Sequence, residues 1–310
     1  MATVRPATPA DAPILMGMIR ELAEFEKMPE SVKVDEETLA ADIERNAFGG
    51  FLAQDESGEY AGMLLYYFGY STWLGQFMHM EDLYVKPAFR KNGYAKMLWM
   101  ECAKLSRSLG HRRFQWDVLD WNVNAINFYK KVKSTQDLTH SEGWLKFRLD
   151  EEGIAEEHAE FEKIPESVKL DEATLAADIE RNAVGGFLAQ DEVDILLIFT
   201  LDIQSGEYAG MLVYHFGYST WLGQFMHMED LYVKPEFRKN GHAKKLWMEC
   251  AKLSRSLGHR RFEWGVMDWN INAINFYKKV KSTQDLTHSE GWLKFRLDGE
   301  GIAEVADGKF

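Results

Sequence analysis

Tyr84-Val85-Lys86-Pro87-Ala88-Phe89-Arg90-Lys91-Asn92-Gly93-Tyr94-Ala95-Lys96 runs from the end of a strand into the start of a helix. Apolar residues lead up to Val85, and Pro87 removes the ladder donor that would continue the strand. Gly93 gives the backbone φ freedom just before the helix, and Ala95 keeps side-chain bulk away from it. Such a turn lets backbone amides approach a phosphate closely, and the helix N-terminus adds positive potential. Arg90 can add a charge-assisted bond. The segment has neither the G-x-x-x-x-G-K of a Walker loop nor the G-x-G-x-x-G of a dinucleotide turn. On its own it is equally well an ordinary helix start with a glycine.

The same segment returns at Tyr232–Lys244, because the chain contains itself twice. Ser57–Glu156 recurs as Ser205–Glu304 with 90 of 100 positions identical, and Glu21–Glu56 recurs as Glu157–Glu192 with 31 of 36 identical. The ten Trp residues form five duplicated pairs, and the two cysteines, Cys102 and Cys250, form one. Both cysteines are expected buried in mid-helix rather than reactive. A period near 150 residues is a tandem domain duplication, not a solenoid. We therefore expect one complete domain over residues 1–156 and a second over 157–310. The second lacks any counterpart of Met1–Arg20 and carries an insertion, Val193–Gln204. That insertion reads either as a strand replacing the missing first one or as a gene-model artefact, which transcript sequencing separates.

Composition narrows the function. Of 310 residues, 36 are Lys or Arg and 49 are Asp or Glu, giving a net charge of −13. That balance argues against nucleic acid and suits a small cationic partner. No run reaches the roughly 18 apolar residues of a membrane span, and two cysteines are too few for a disulfide framework. The expectation is a cytoplasmic protein without a membrane partner.

Within the first copy, Thr3–Arg5 reads as a strand and Ala12–Glu26 as a helix that Pro29 ends. Asp35 caps a second helix to about Asn46, closed by Gly49-Gly50. Strands follow at Phe51–Gln54, Tyr60–Tyr70 and Phe77–Val85. A helix over Gly93–Leu109, a strand over Arg113–Leu119, a helix over Asn122–Lys131 and a strand over Trp144–Leu149 complete it. This is a mixed α/β order rather than a regular βαβ alternation.

Arg90-x-x-Gly93-x-Ala95 resembles the pyrophosphate motif of the GCN5-related N-acetyltransferases (GNAT). Asp120–Lys131, DWNVNAINFYKK, is similar to their later cofactor motif. Tyr70–Gly75, Met80–Val85, Trp121–Lys130 and Ser141–Trp144 further resemble the diamine acetyltransferase subfamily, which includes spermidine/spermine and thialysine acetyltransferases. The resemblance covers nearly all of the first copy, and the second from Glu157 on.

The resemblance implies direct acetyl transfer from acetyl-CoA to an amine. It places the CoA pyrophosphate on the amides around Lys91, Asn92, Gly93, Tyr94, Ala95 and Lys96. It places the pantetheine beside Leu83, Tyr84 and Val85, with Asn122 also on the cofactor. Tyr129 would protonate the leaving thiolate, and Glu81 would take the ammonium proton. Glu26, Trp73 and Asp82 would line the amine pocket. The second copy's counterparts are Tyr277 and Glu229 for catalysis, Arg238, Gly241, Ala243 and Asn270 for the cofactor, and Glu162, Trp221 and Asp230 for the substrate.

The chemistry asks for these types independently. An alkylammonium near pKa 10.4 must lose a proton before it attacks a thioester, and a carboxylate can bind it and relay that proton. Adjacent Glu81 and Asp82 face one pocket only if the strand bulges between them. The family has such a bulge. This sequence departs from the usual motif at Lys91 and Asn92, where more glycine is customary, and at Lys133. His79 and His140 have no metal-ligand spacing and read as structural. The subfamily's usual homodimer implies either pairing between chains or a pseudodimer within this one. Rival readings are a protein or peptide acetyltransferase on the same fold and a CoA-binding pseudoenzyme. The first copy is expected to carry most activity.

Overall fold

The computed structural model describes residues 2–132, 135–137, 144–150, 196–202, 205–278, 284–285, 292–297, 303 and 307. The first copy begins with β1 (Thr3–Pro6), α1 (Ala12–Phe25), α2 (Glu36–Glu44), β2 (Gly49–Gln54), β3 (Tyr60–Ser71) and β4 (Gly75–Val85). It continues with α3 (Tyr94–Ser108), β5 (Phe114–Leu119), α4 (Val123–Tyr129), β6 (Gln136–Asp137) and β7 (Trp144–Asp150). The second copy contributes β8 (Leu196–Leu201), β9 (Tyr208–Ser219), β10 (Gly223–Val233), α5 (His242–Ser256), β11 (Arg261–Met267), α6 (Ile271–Tyr277), β12 (Gln284–Asp285) and β13 (Trp292–Leu297).

Helix ends follow local chemistry. Asp35 caps α2 by accepting the Thr38 amide at 2.8 Å. The helix is closed by Asn46 at φ 57°, not by the expected Gly49-Gly50, which open β2. Asparagine tolerates the left-handed C-terminal position, so the glycines are not needed there. α1 likewise stops at Phe25 with Lys27 at φ 63°, before Pro29 is reached.

Strands of the two copies are exchanged. The seven-stranded sheet runs β1-β2-β3-β4-β5-β13-β6, and the six-stranded sheet runs β12-β7-β11-β10-β9-β8. The first copy's last long strand, β7, therefore lies against β11 of the second, pairing Arg261 with Asp150 through Met267 with Trp144. Reciprocally, β13 lies against β5, from Trp292 with Leu119 to Leu297 with Phe114. Each sheet is completed by the other copy. The expected boundary after Glu156 falls outside the described residues.

The insertion does form a strand, but not the one expected. β8 pairs with β9 from Leu196 with Tyr214 to Leu201 with Tyr208. β2 meets β3 in the matching register, from Gly49 with Tyr66 to Gln54 with Tyr60. The insertion thus occupies the second strand's place rather than that of the missing first. Its Leu-Leu-Ile-Phe-Thr-Leu run has higher β propensity than the Gly-Gly-Phe-Leu-Ala-Gln of residues 185–190. Those residues lie outside the described ones. Among the described residues no strand covers the outer edge of β8.

The first sheet is covered on both faces. Phe51, Ala53, Leu64, Met78 and Met80 pack with Trp99 and Cys102 of α3, Trp116 of β5 and Tyr129 of α4. Leu52, Met63, Leu65, Tyr67 and Tyr84 pack with α1 and α2. Burial on both faces explains why β2 and β3 read as near-continuous apolar runs. The second copy repeats the first core with Trp247, Trp264, Cys250 and Tyr277. Cys102 and Cys250 are buried in mid-helix, each against a methionine sulfur. Tyr218 and Phe225 of the second copy enter the α1–α2 cluster. There Tyr218 stacks on Phe48 at 4.2 Å and donates to Asp42 at 2.8 Å. The two copies share a core as well as strands.

Candidate active site

The site starts at an irregularity in β4. Leu65 pairs with Asp82 but Tyr66 pairs with Met80, so Glu81 is the extra residue of a β-bulge. The same break lies between Met228 and Asp230, around Glu229. A bulge swings adjacent side chains out of strict alternation, which adjacent carboxylates need if they are to share a pocket. It also coincides with a splay. β4 and β5 pair in parallel only over Met78–Met80 with Phe114–Trp116. Beyond the bulge, among the described residues, Leu83–Val85 has no strand partner on the β5 side; the Val85 carbonyl accepts from Arg90 and the rest of that edge faces a wedge. β10 and β11 separate in the same way after Met228 and Trp264.

Both the turn and the helix at the end of this wedge take the expected form. Gly93 is the N-cap of α3 at φ 86°, and apart from its chain neighbours no described residue lies within 4 Å of where a Cβ would sit. Gly241 repeats it at φ 85°. Lys91 also adopts a positive φ, 68°, where a side chain costs about 1–2 kcal/mol. This is the strain hidden in the departure from glycine. Tyr94, Ala95 and Lys96 present first-turn amides, which have no acceptor within their own helix. Arg90 braces the turn instead of reaching freely outward. Its Nε donates to the Val85 carbonyl at 3.0 Å, and its guanidinium lies over Phe25 and Tyr84. Arg238 makes the same bond to Val233 at 2.9 Å. Leu83 and Val85 face the α3 core, whereas Tyr84 faces α1 and donates to Glu21 at 3.0 Å. Asn122 and Asn270 cap α4 and α6 with their side-chain oxygens.

Glu26 and Asp82 converge beside Tyr129, and Glu81 adjoins Asp82 on the side that faces Asp117 and the second copy's Arg261 and Glu263. Burial and the Asp82 charge push Glu26 up to about 8. Burial pushes Asp82 up to about 6, against a lowering hydrogen bond from Thr220. Glu81 is raised well above the carboxylate range by burial and by Asp82. Tyr129, buried against Trp99 and Trp116, is raised by burial and then by Glu26 and Asp82, so its hydroxyl keeps its proton at neutral pH. The Oδ2 atom of Asp82 is buried with no hydrogen-bond partner among the described residues. A buried acceptor in that state favours a bound donor, and clustered carboxylates favour a cation. In the second copy Tyr277 is raised by burial alone, and Glu229 is raised chiefly by burial. Glu162 lies outside the described residues.

Trp73 does not join Glu26 and Asp82. It sits in the tight turn between β3 and β4 and is 82% exposed. Seven residue steps along the strand separate Gly75 from Asp82, about 23 Å at strand rise. The hairpins cross to the opposite copy instead. The Trp221 carbonyl accepts the Lys33 and Val34 amides at 2.6 and 3.2 Å, next to Thr220 on Asp82. Thr72 and Arg113 of the first copy act on Glu229 in return. Sequence reading missed Thr220, Thr72 and Arg113 as members of these sites. Only the placement of one copy against the other brings them there.

The acetyltransferase (GNAT) family model matches residues 16–133 and 152–281. A thialysine N-epsilon-acetyltransferase of Caenorhabditis elegans is 52% identical over 143 residues, 46% of this chain and 88% of the relative. That of Mus musculus is 43% identical over 162 residues, 49% of this chain and 95% of the relative. A tandem GNAT protein from the clavulanic acid biosynthesis pathway superposes with a TM-score of 0.53 at 14% identity, covering 96% of this chain and 99% of that one. At that identity the likeness is one of fold. Among the described residues no helix is long and apolar enough to cross a membrane.

Proposed function

Because the chain belongs to the GNAT family and is an N-acetyltransferase, we propose that its first copy moves acetyl from acetyl-CoA to a primary amine of a small diamine, polyamine or lysine-like amino acid. The observation that carries this reading is the carboxylate cluster of Glu26, Glu81 and Asp82, with its unpartnered Asp82 oxygen beside the protonated Tyr129. Four of the matched relatives are named thialysine N-epsilon-acetyltransferases, which supports the same amine class.

The residues fit acetyl-CoA. The open edge of Leu83–Val85 offers backbone partners to an extended pantetheine, and the Gly93 turn leads first-turn amides toward a pyrophosphate. Bound there, acetyl-CoA supplies an activated acyl carbon at the wedge. The chain's own groups do the rest. Asp82 and Glu26 hold the ammonium, whose charge returns both carboxyls to the ionised form. Glu81 takes the ammonium proton, directly or through water. The free amine would displace the thioester sulfur, forming the amide C–N bond as the C–S bond breaks; Tyr129 would give its proton to the departing sulfur and regain one from the acylated nitrogen, through water. The −13 net charge adds a field that draws cationic amines.

An amine panel tests the reading. The full chain is given acetyl-CoA with thialysine, putrescine, spermidine, a monoamine or a lysine-containing peptide, and free thiol release is followed. Turnover concentrated in the small amines with a second charge supports it. Turnover confined to the peptide, or no thiol release with any amine, overturns it in favour of the rival readings.

A further inference from the structure

The copies diverge at only ten of the hundred aligned positions, and two of these flank the same histidine. In the first copy Tyr67 pairs with His79, and His79 pairs with Gln115 across β3, β4 and β5. In the second, His215 pairs with His227, and His227 pairs with Glu263 across β9, β10 and β11. A Tyr–His–Gln row has become His–His–Glu. Glu229, on the bulge, stands beside the row, its Oε2 3.9 Å from His227 Nε2.

One donor atom each from His215, His227 and Glu229 falls within 4.8 Å of the others. The structure assigns these three to a zinc-type divalent metal site, with Glu263 holding the other nitrogen of His227. Two imidazoles and a carboxylate are a zinc donor set that leaves a fourth position open. Ligand atoms about 2.0–2.1 Å from a tetrahedral zinc stand about 3.3 Å apart, so closure asks only for side-chain adjustment from the distances seen.

Supporting geometry is already in place. His215 is 3% exposed, and its Nε2 is buried without a hydrogen-bond partner among the described residues. Its Nδ1 lies 3.3 Å from the Phe216 carbonyl, which favours the tautomer that leaves the Nε2 lone pair free. Glu263 Oε1 stands 3.5 Å from His227 Nδ1, the carboxylate–histidine arrangement that orients a metal-bound ring. His227 and Glu229 are partly exposed, which gives an ion a way in. Arg113 and the Thr72 amide also face Glu229, and a bound cation competes with Arg113 for that carboxylate. The first copy has one imidazole here, with Gln115 Nε2 3.3 Å from His79 Nδ1, and lacks the donor set.

Metal binding is read directly and does not depend on acetyl transfer by either copy. The full chain is stripped of metal, dialysed against Zn2+, and its zinc content measured. Co2+ reports ligand geometry by visible absorption, and Mg2+ serves as the hard-cation control. One zinc per chain is expected, with no retained Mg2+. His215→Tyr, which restores the first copy's residue, and the isosteric Glu229→Gln should each weaken binding at least about 100-fold, and Glu263→Gln about 10- to 100-fold. Adding Tyr67→His with Gln115→Glu should raise the stoichiometry to two. Circular dichroism confirms that each variant is folded, and the two isosteric glutamine variants carry the test if His215→Tyr does not fold. No stoichiometric zinc in the parent chain, or zinc undiminished in the folded variants, overturns the assignment.

Discussion

Replacing Asp82 by Asn removes one charge from the carboxylate cluster with almost no change of shape. Two unit charges about 4 Å apart interact by about 4 kcal/mol at an effective dielectric of 20, an upper bound for the lost attraction to a bound ammonium. Hydrogen bonds to charged groups contribute about 1.5–3 kcal/mol net. The expected loss in kcat/KM for a diamine is therefore about 10- to 150-fold. The pH profile gives a second, independent reading. Glu26 is raised to about 8 by burial first and by the Asp82 charge second. Neutralising Asp82 removes the second cause, so the rise in kcat/KM governed by Glu26 ionisation should move to lower pH. Stability of the ligand-free protein follows the same logic. A carboxyl whose folded pKa lies above its unfolded value near 4.5 favours folding below that value, and this contribution is lost as pH rises through the folded value. The parent should lose thermal stability between about pH 4.5 and 8, and Asp82→Asn should lose less. The assays are thiol-release kinetics and thermal melts across that range, with Asp230→Asn as the counterpart in the second copy. Unchanged kcat/KM together with an unmoved pH limb would refute the argument that these carboxylates form one ammonium site.

Tyr129→Phe should lower kcat by about 100- to 10,000-fold, whereas Tyr277→Phe should cost the chain far less; equal losses would contradict the dominance of the first copy. Lys91→Gly relieves a residue held at φ 68° and should stabilise the fold by about 1 kcal/mol in denaturant unfolding, with Lys239→Gly, at φ 67°, doing the same. Trp116→Ala empties a fully buried position among Trp99, Phe114 and Tyr129, and should destabilise by about 3–5 kcal/mol in the same assay. Sedimentation should give the mass of one chain, since β7 and β13 already complete each other's sheets; a mass of two chains would place the exchange between molecules.

The parts of this architecture carried by local pattern were legible in the sequence. Asp35, Gly93 and the apolar runs of β3 and β4 act within a few residues of themselves, so their elements fell close to expectation. The bulge at Glu81 came from a chemical requirement: two adjacent carboxylates can serve one pocket only through a break in alternation. Helix stops were less legible, because Asn46 and Lys27 take positive φ where a glycine or proline nearby looked like the stronger signal. One reading of the insertion is a strand replacing the missing first one, but the address of such a strand does not follow from its content. Which neighbour a strand adds to depends on the edges left open. Trp73 stands apart from Asp82 for a similar reason. A family motif says that a tryptophan belongs near an amine pocket, while the 11-residue length of β4 sets Trp73, at its turn end, well apart from Asp82 of the same copy.

The exchanged strands bear on why a shortened copy persists. If the second copy were only a spare catalyst, loss of its first strand and helix would leave the remainder free to decay. Here β13 is the strand that completes β5, Tyr218 and Phe225 fill the core beneath α1 and α2, and Thr220 reaches Asp82. Removing the second copy would unpair one whole flank of β5 and leave buried apolar surface without its cover. Its framework is therefore held by the first copy's stability. In that second copy His215 stands in place of Tyr67 and Glu263 in place of Gln115, on either side of a histidine common to both copies. A shortened chain ending after Asp150 should for this reason be markedly less stable than the full chain, and adding the residues after Glu207 in trans should restore it. A first copy that melts as high alone as in the full chain would show that the exchange contributes nothing to its stability.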